Sequence, residues 1–338
     1  MQRATLRMWV IGLIALLGFI GSGCGDSSSR PEDAAGGAVP PVYVTVAGHI
    51  EDVPAYAECG MYSQCRAHLL TFAETLSETA IAFNLQIEYE FFLGLSSCET
   101  EQVRATTDGL NVLDYLVTHY GFEIDPHQEG GVEEGQDNYA DIRYLAGTLI
   151  GSVSDVVGGL VWDDPSQFTR LAQGEPGWVY PDFIWHPRIL TLAVSADHHH
   201  GDFSRDDVAS GVWRPAGANS NFWVDDDDGP LIYVGPGEHS NWGNPSSWFS
   251  TADFVAYLVE GLQQNQLDRS QMYTATLAVP QSTIFDPTTY GDLLNLLSQL
   301  DRFIQAGQAV YVTYSEAVQI WATEYGSQPN VFRRSASP

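Results

Sequence analysis

Short β-branched apolar runs alternate along this chain with longer stretches whose apolar residues recur every three or four positions. Val42-Tyr43-Val44-Thr45-Val46 reads as a buried strand, and residues 66–83 follow with Leu69, Leu70, Phe72, Ala73, Leu76 and Ala80 at helical spacing. A period of two over 85–92 predicts a second strand, 111–120 a helix and 122–124 a third strand. A helix over 138–149 and strands over 160–162 and 189–195 come next. The last third repeats the theme, with strands over 231–234, 273–279 and 310–313 and helices over 253–263, 290–304 and 315–325. Repeated β-α units predict a mainly parallel sheet. About seven or eight of them in one domain, here residues 42–338, favour a barrel over an open sheet. In such folds the chemistry gathers at the carboxyl ends of the strands.

The N-terminus follows a different pattern. Arg3 and Arg7 precede an apolar stretch over residues 8–20, and Gly21-Ser22-Gly23 leads into Cys24. That is a bacterial secretory signal whose apolar core is short for a bilayer span. It resembles a lipoprotein signal, which implies that residues 1–24 carry the signal and that Cys24 becomes the acylated first residue. Ordinary secretion, with Cys24 left in a flexible region, is the alternative. Residues 25–41, rich in Ser, Ala, Gly and Pro, read as a tether. The expected location is the bacterial cell envelope, lipid-anchored at the outer membrane or in the periplasm or at the extracellular face.

Charge narrows the partners. The net charge is −29, and all 14 basic residues are arginine. A phosphate backbone or an anionic lipid surface would be repelled, so nucleic acid is not expected as a partner. Without lysine, Schiff-base chemistry and lysine-dependent phosphate loops are excluded. With Cys24 acylated, Cys59, Cys65 and Cys98 remain, and a disulfide is expected between Cys98 and either Cys59 or Cys65.

Two polar runs stand at predicted strand ends. Gly48-His49-Ile50-Glu51-Asp52 follows the first strand, and Asp125-Pro126-His127-Gln128-Glu129-Gly130-Gly131 follows the third. Imidazoles and carboxylates gathered at such ends suit a hydrolytic metal site, because both bind divalent cations and carboxylates also move protons. These residues resemble the polysaccharide deacetylases, carbohydrate esterases of the glycoside hydrolase and deacetylase barrel superfamily. Glu51-Asp52 is similar to that family's acidic pair after strand one. Phe122-Glu123-Ile124-Asp125-Pro126-His127 is similar to the approach to its first metal histidine. Val212-Trp213-Arg214-Pro215-Ala216-Gly217 looks like its Arg-Pro motif, and residues 307–316 are similar to its closing strand and helix. The resemblance implies a distorted (β/α)7–8 barrel with an insertion between the second and third motifs. It also implies a divalent metal, zinc by donor type, and removal of acyl groups from a cell-surface or extracellular glycan.

By the same resemblance Glu51 is the catalytic base and Arg214 the residue that orients it, while Asp52 and His127 hold the metal. The family's second metal histidine is replaced by Gly131, and its late acid histidine has no counterpart over residues 277–281. His49 and Glu129 are the local candidates to complete the metal set. His198, His199 and Asp202, after the strand predicted at 189–195, are candidates for a metal ligand or an acid from the insertion. Trp162, Asp163 and Trp213 are candidates for substrate contact, since indole faces suit sugar rings. Asp164 also reads as a helix cap. Two other functions remain open: a non-catalytic carbohydrate-binding lipoprotein on a degenerate barrel, and a metal-independent glycoside hydrolase with paired carboxylates such as Glu51 and Asp163.

Overall fold

Val42–Ile50 forms strand β1, nine residues buried without exception. Val42, Val44, Val46 and Ile50 pack into an apolar layer between sheet and helices, while Tyr43 and Ala47 enter a second layer on the opposite face. A strand covered on both faces shows a continuous apolar run, as this one does.

The computed structural model describes residues 38–51, 53–128, 138–198, 201–202, 204–237 and 251–334. After β1 come α1 (Cys59–Leu76), β2 (Phe83–Ile87), α2 (Tyr89–Cys98), α3 (Glu101–Arg104), α4 (Val112–Tyr120), β3 (Glu123–Pro126) and α5 (Tyr139–Leu149). The middle of the chain contributes β4 (Val156–Gly158), α6 (Pro165–Gln173), β5 (Glu175–Pro176), β6 (Ile184–Trp185), β7 (Ile189–Thr191), β8 (Val208–Trp213) and β9 (Ile232–Gly237). The last part holds α7 (Thr251–Gln263), β10 (Thr274–Val279), α8 (Gln281–Phe285), α9 (Tyr290–Gln305), β11 (Ala309–Tyr311), α10 (Tyr314–Glu324) and β12 (Phe332–Arg334).

The strands make a mixed α/β fold with a mainly parallel sheet, as the alternation predicts. One sheet runs β10-β1-β2-β3, all parallel, with β11 on the opening residues of β1. A second runs β12-β8-β9-β7-β4. There β4, β7 and β9 are parallel, and β8 runs antiparallel between β9 and β12. The sheets meet where His127 bridges Gly158 in the parallel sense. They meet again at Thr274, whose hydroxyl donates to Gly235 O at 2.5 Å and accepts from Gly211 N at 2.9 Å. Among the described residues these ladders stay separate sheets whose parallel strands end on the same side, and β5 and β6 form a small antiparallel pair of their own.

Helices α1, α2, α4, α5, α7 and α9 cover the first sheet, and α10 closes the inner layer with Tyr314, Ala317, Val318 and Trp321. Polar caps set several helix starts. Asn111 accepts from Asp114 N, Asp164 accepts from Ser166 N and Gln167 N, and Asn138 with Asp141 and Thr313 with Glu316 form reciprocal capping pairs. Cys59 and Cys98 form the disulfide, tying the start of α1 to the end of α2, while Cys65 is a free buried thiol.

Several elements differ from the expectation. The period of two ends at Ile87, and α2 then buries Phe91, Phe92, Leu95 and Cys98 along one helical face. Tyr89-Glu90-Phe91 fits either period, and the next turn decides for the helix. Helix α1 starts at Cys59 and stops at Leu76, leaving Phe83 to open β2. The strand expected at 160–162 is a single bridge, Val161 to Val194, and the regular strand is Val156–Gly158. Strands β8 and β12 were not anticipated, because Ser210 and Gly211 interrupt the apolar run of β8. Among the described residues no helix is long and apolar enough to cross a membrane. The signal, Cys24 and most of the tether lie outside the described residues.

Candidate metal centre

Strand β1 extends beyond its β-branched run, so His49 lies inside the strand and Glu51 is the first residue after it. Alternation turns His49 to the same inner face as Tyr43 and Ala47. His127 continues β3 by one residue, held by its bridge to Gly158. Between the two histidine-bearing strands lies β2, where the register aligns His49, Gln86 and Asp125 across three neighbouring strands. The imidazoles meet in front of this row with ring centroids 3.9 Å apart and planes tilted by 34°.

Glu51 completes the cluster. Its Oε2 lies 2.6 Å from His127 Nε2 and 3.1 Å from His49 Nδ1. His49 and His127 are buried, whereas the Glu51 side chain is 25% exposed, so the carboxylate is the member that faces outward. Burial lowers the His49 pKa to about 4, and the second imidazole adds to that effect against the opposing pull of Glu51. Burial alone would raise the Glu51 pKa, but the charge on His49 and hydrogen bonds from both imidazoles hold it well below the usual carboxylate range. Glu51 is therefore ionised near neutral pH and accepts from both ring nitrogens.

The surroundings leave little slack. Gly159 has φ +85°, and a β-carbon there would lie 2.6 Å from His127 Cε1; one on Gly158 would lie 2.0 Å from Gln86 Oε1. Asp125, fully buried beneath the imidazoles, accepts from Ser154 Oγ at 2.5 Å, and its pKa is raised well above normal by burial and by Glu123. Across the opening, the Gln281 side chain hydrogen-bonds the Glu51 backbone twice, at 2.6 and 3.0 Å.

One donor atom from each of His49, Glu51 and His127 lies within 4.8 Å of the others. Two imidazole nitrogens and a carboxylate oxygen suit zinc and other borderline divalent ions. The ring nitrogens that Glu51 now engages are the ones that would lose their protons to a cation. The donor chemistry fits a metal.

Of the residues singled out from sequence, the structure brings together His49, Glu51 and His127. Asp52, Glu129 and His199 lie outside the described residues. Arg214 is displaced from its expected role. It follows β8, which runs against the parallel strands, so it leaves the sheet where those strands begin, and its guanidinium lies over Trp321 at 4.7 Å. Trp213 is fully buried, donating from Nε1 to Phe222 O, and Trp162 packs against Phe222 and Trp223; both are core residues and not sugar platforms. Asp163 is taken up by Arg205, 2.7 Å away, and by Ala196 N. His198 Nδ1 lies 2.5 Å from Asp206 Oδ2, while Asp202 closes a turn by accepting from Ser204 N.

Gln86 and Gln281 were missed as members of this neighbourhood, whereas Asp125 belongs to the polar run singled out after the third strand. Gln281 stands two residues after the end of β10, close to the strand-end position that drew attention to the histidines. Aromatic residues missed from sequence also border this end. The Tyr139 hydroxyl lies between the carbonyls of Gln128 (3.0 Å) and Gly158 (2.8 Å), anchoring the start of α5 beside His127. The Asp141 carboxylate accepts from the backbone of Trp178, Val179 and Tyr180. The Tyr180 hydroxyl is 3.2 Å from that of Tyr89, and its ring lies 4.3 Å from that of exposed Tyr144.

No family model and no curated protein matches this chain. Among solved structures, the chain is similar to a 4-alpha-glucanotransferase from Thermococcus litoralis, with a TM-score of 0.44 and 14% sequence identity. The similarity covers 87% of this chain and 40% of that one, so this chain spans well under half the length of that protein.

Proposed function

We propose that this protein is a metal-dependent hydrolase resembling polysaccharide deacetylases, removing acyl groups from a cell-surface or extracellular glycan. The observation that carries the proposal is the convergence of His49 Nδ1, Glu51 Oε2 and His127 Nε2 at the carboxyl ends of two parallel strands. In this reading the two sheets are the wall of a distorted (β/α)7–8 barrel, and Cys24 carries a lipid that holds the enzyme at the bacterial envelope.

His49 and His127, both buried, would hold the cation, and the partly exposed Glu51 would add its carboxylate. When bound, the cation supplies polarisation of an acyl carbonyl and a lowered pKa for water. Glu51, whose carboxylate is reachable from solvent, is the described group positioned to accept a proton from an attacking water. The border of Tyr89, Tyr180 and Tyr144 supports a glycan substrate, because sugar rings offer an apolar face with a polar edge.

The test is metal content and turnover of acetylated oligosaccharides by the purified protein and its Glu51→Gln and His127→Ala variants. About one equivalent of metal and deacetylation, both lost in His127→Ala, supports the proposal. Metal-free protein after reconstitution with zinc overturns it. Glycan affinity without turnover would favour a non-catalytic carbohydrate-binding lipoprotein, a reading supported by the position of Arg214 away from the metal cluster.

A further inference from the structure

The β1–β10 ladder ends at the pair Gly48 and Val279. Two residues later the backbone turns into α8, so the next ladder step has no strand to use. The side chain of Gln281 takes its place. Glu51 N–H donates to Gln281 Oε1 at 2.6 Å, and Gln281 Nε2 donates to Glu51 O at 3.0 Å. One primary amide thus satisfies both polar groups of the Glu51 backbone, across 230 positions of sequence.

We propose that Gln281 is the positioning residue of the metal centre, fixing the backbone of Glu51 so that its carboxylate stands over His49 and His127. This inference rests on the metal-site reading above. Glu51 lies beyond the last regular ladder pair of β1, where a chain is ordinarily free to fray. With its N–H and C=O both held, the direction of its Cα–Cβ bond is set, and only side-chain torsions remain to place Oε2. An amide is the side-chain type that both donates and accepts in this way. Glutamate at 281 would accept from Glu51 N–H but have no donor for Glu51 O, and methionine would match the length with neither.

The experiment compares full-length wild type with Q281M, Q281E and E51Q. Zinc affinity is measured by calorimetry, the visible spectrum of the cobalt-loaded protein reports ligand geometry, and hydrogen exchange of the metal-free protein reports the Glu51 amide. Outer partners of metal ligands typically contribute about 10- to 100-fold in affinity. Q281M is expected to weaken zinc binding within that range, alter the cobalt spectrum and accelerate exchange at Glu51, with the melting temperature and other amides unchanged. Q281E is expected to keep part of the protection at Glu51 while still weakening zinc. Wild-type affinity, spectrum and exchange in Q281M would overturn the inference while leaving the metal site standing. Wild-type protein that binds no zinc would overturn the metal-site reading instead. The exchange arm would then still decide whether Gln281 holds Glu51, with unchanged exchange in Q281M refuting it.

Discussion

Glu51 Oε2 lies 2.6 Å from His127 Nε2, although 76 positions separate the two residues along the chain. The contact exists because β1 and β3 are parallel, flank β2 and end on the same side. Structural zinc sites release about 10–16 kcal/mol over four ligands, or about 3 kcal/mol per ligand, which corresponds to about 100-fold in affinity. His49→Ala and His127→Ala are therefore each expected to weaken zinc binding by about two orders of magnitude. Calorimetric titration of metal-free protein checks this, and wild-type affinity in either variant would remove that residue from the site.

Arg214 makes the opposite expectation. Its guanidinium stacks on Trp321, and β8 carries it toward the start of the parallel strands. Arg214→Ala should leave zinc affinity and any hydrolytic rate unchanged while lowering stability by about 1 kcal/mol through loss of the stacked cation. Thermal unfolding and steady-state kinetics on the same preparation separate these effects. A large fall in rate at unchanged stability would restore Arg214 to the role that its Arg-Pro motif implies.

The contrast between His127 and Arg214 shows what was legible in the sequence. His49, Glu51 and His127 could be found because each directly follows or ends an apolar run, and strand ends on one side of a parallel sheet converge whatever the details of pairing. The direction of β8 is set by its partners β9 and β12, which no local pattern reveals. The burial of Trp213 follows from the same pairing. The switch from β2 to α2 was hidden for a related reason, since Tyr89-Glu90-Phe91 satisfies either period until Phe92 and Leu95 join the buried face. Gln281 was passed over because a neutral amide signals no chemistry by itself, and its importance lies in two contacts made 230 positions away.

A pH dependence of stability follows from Glu123. Burial raises its pKa above the ordinary value, against the lowering effect of hydrogen bonds from Thr313 and Ser315. A carboxyl whose pKa is higher in the folded state favours folding fully below the unfolded value, about 4.3, and that contribution is lost as pH rises through the folded value. Glu123→Gln keeps an acceptor for Ser315 N and Oγ and cannot ionise. The variant is expected to melt higher than wild type by a few degrees at pH 7 to 8, with the gap closing as pH falls toward 4. Melting curves across that range check the sign, and a gap that widens on acidification would contradict the assignment.

Tyr144 offers a test of the glycan substrate that leaves the metal centre untouched. It is exposed on α5, its ring lies 4.3 Å from Tyr180 and 5.3 Å from Phe183, and Tyr180 is tied through its hydroxyl to Tyr89 after β2. A glycan reaching from His49, Glu51 and His127 along this border would meet these rings after its reacting unit. Loss of one aromatic contact is worth about 1 kcal/mol, or about fivefold in affinity. Tyr144→Ala should weaken binding of a neutral oligosaccharide by that factor and leave binding of a single acetylated sugar unchanged, with zinc affinity as the control. Tyr144→Phe, which keeps the ring, should bind like wild type. Equal weakening for the oligosaccharide and the single sugar would mean that the ring acts on the site as a whole, and no weakening for either would exclude this border from the substrate path.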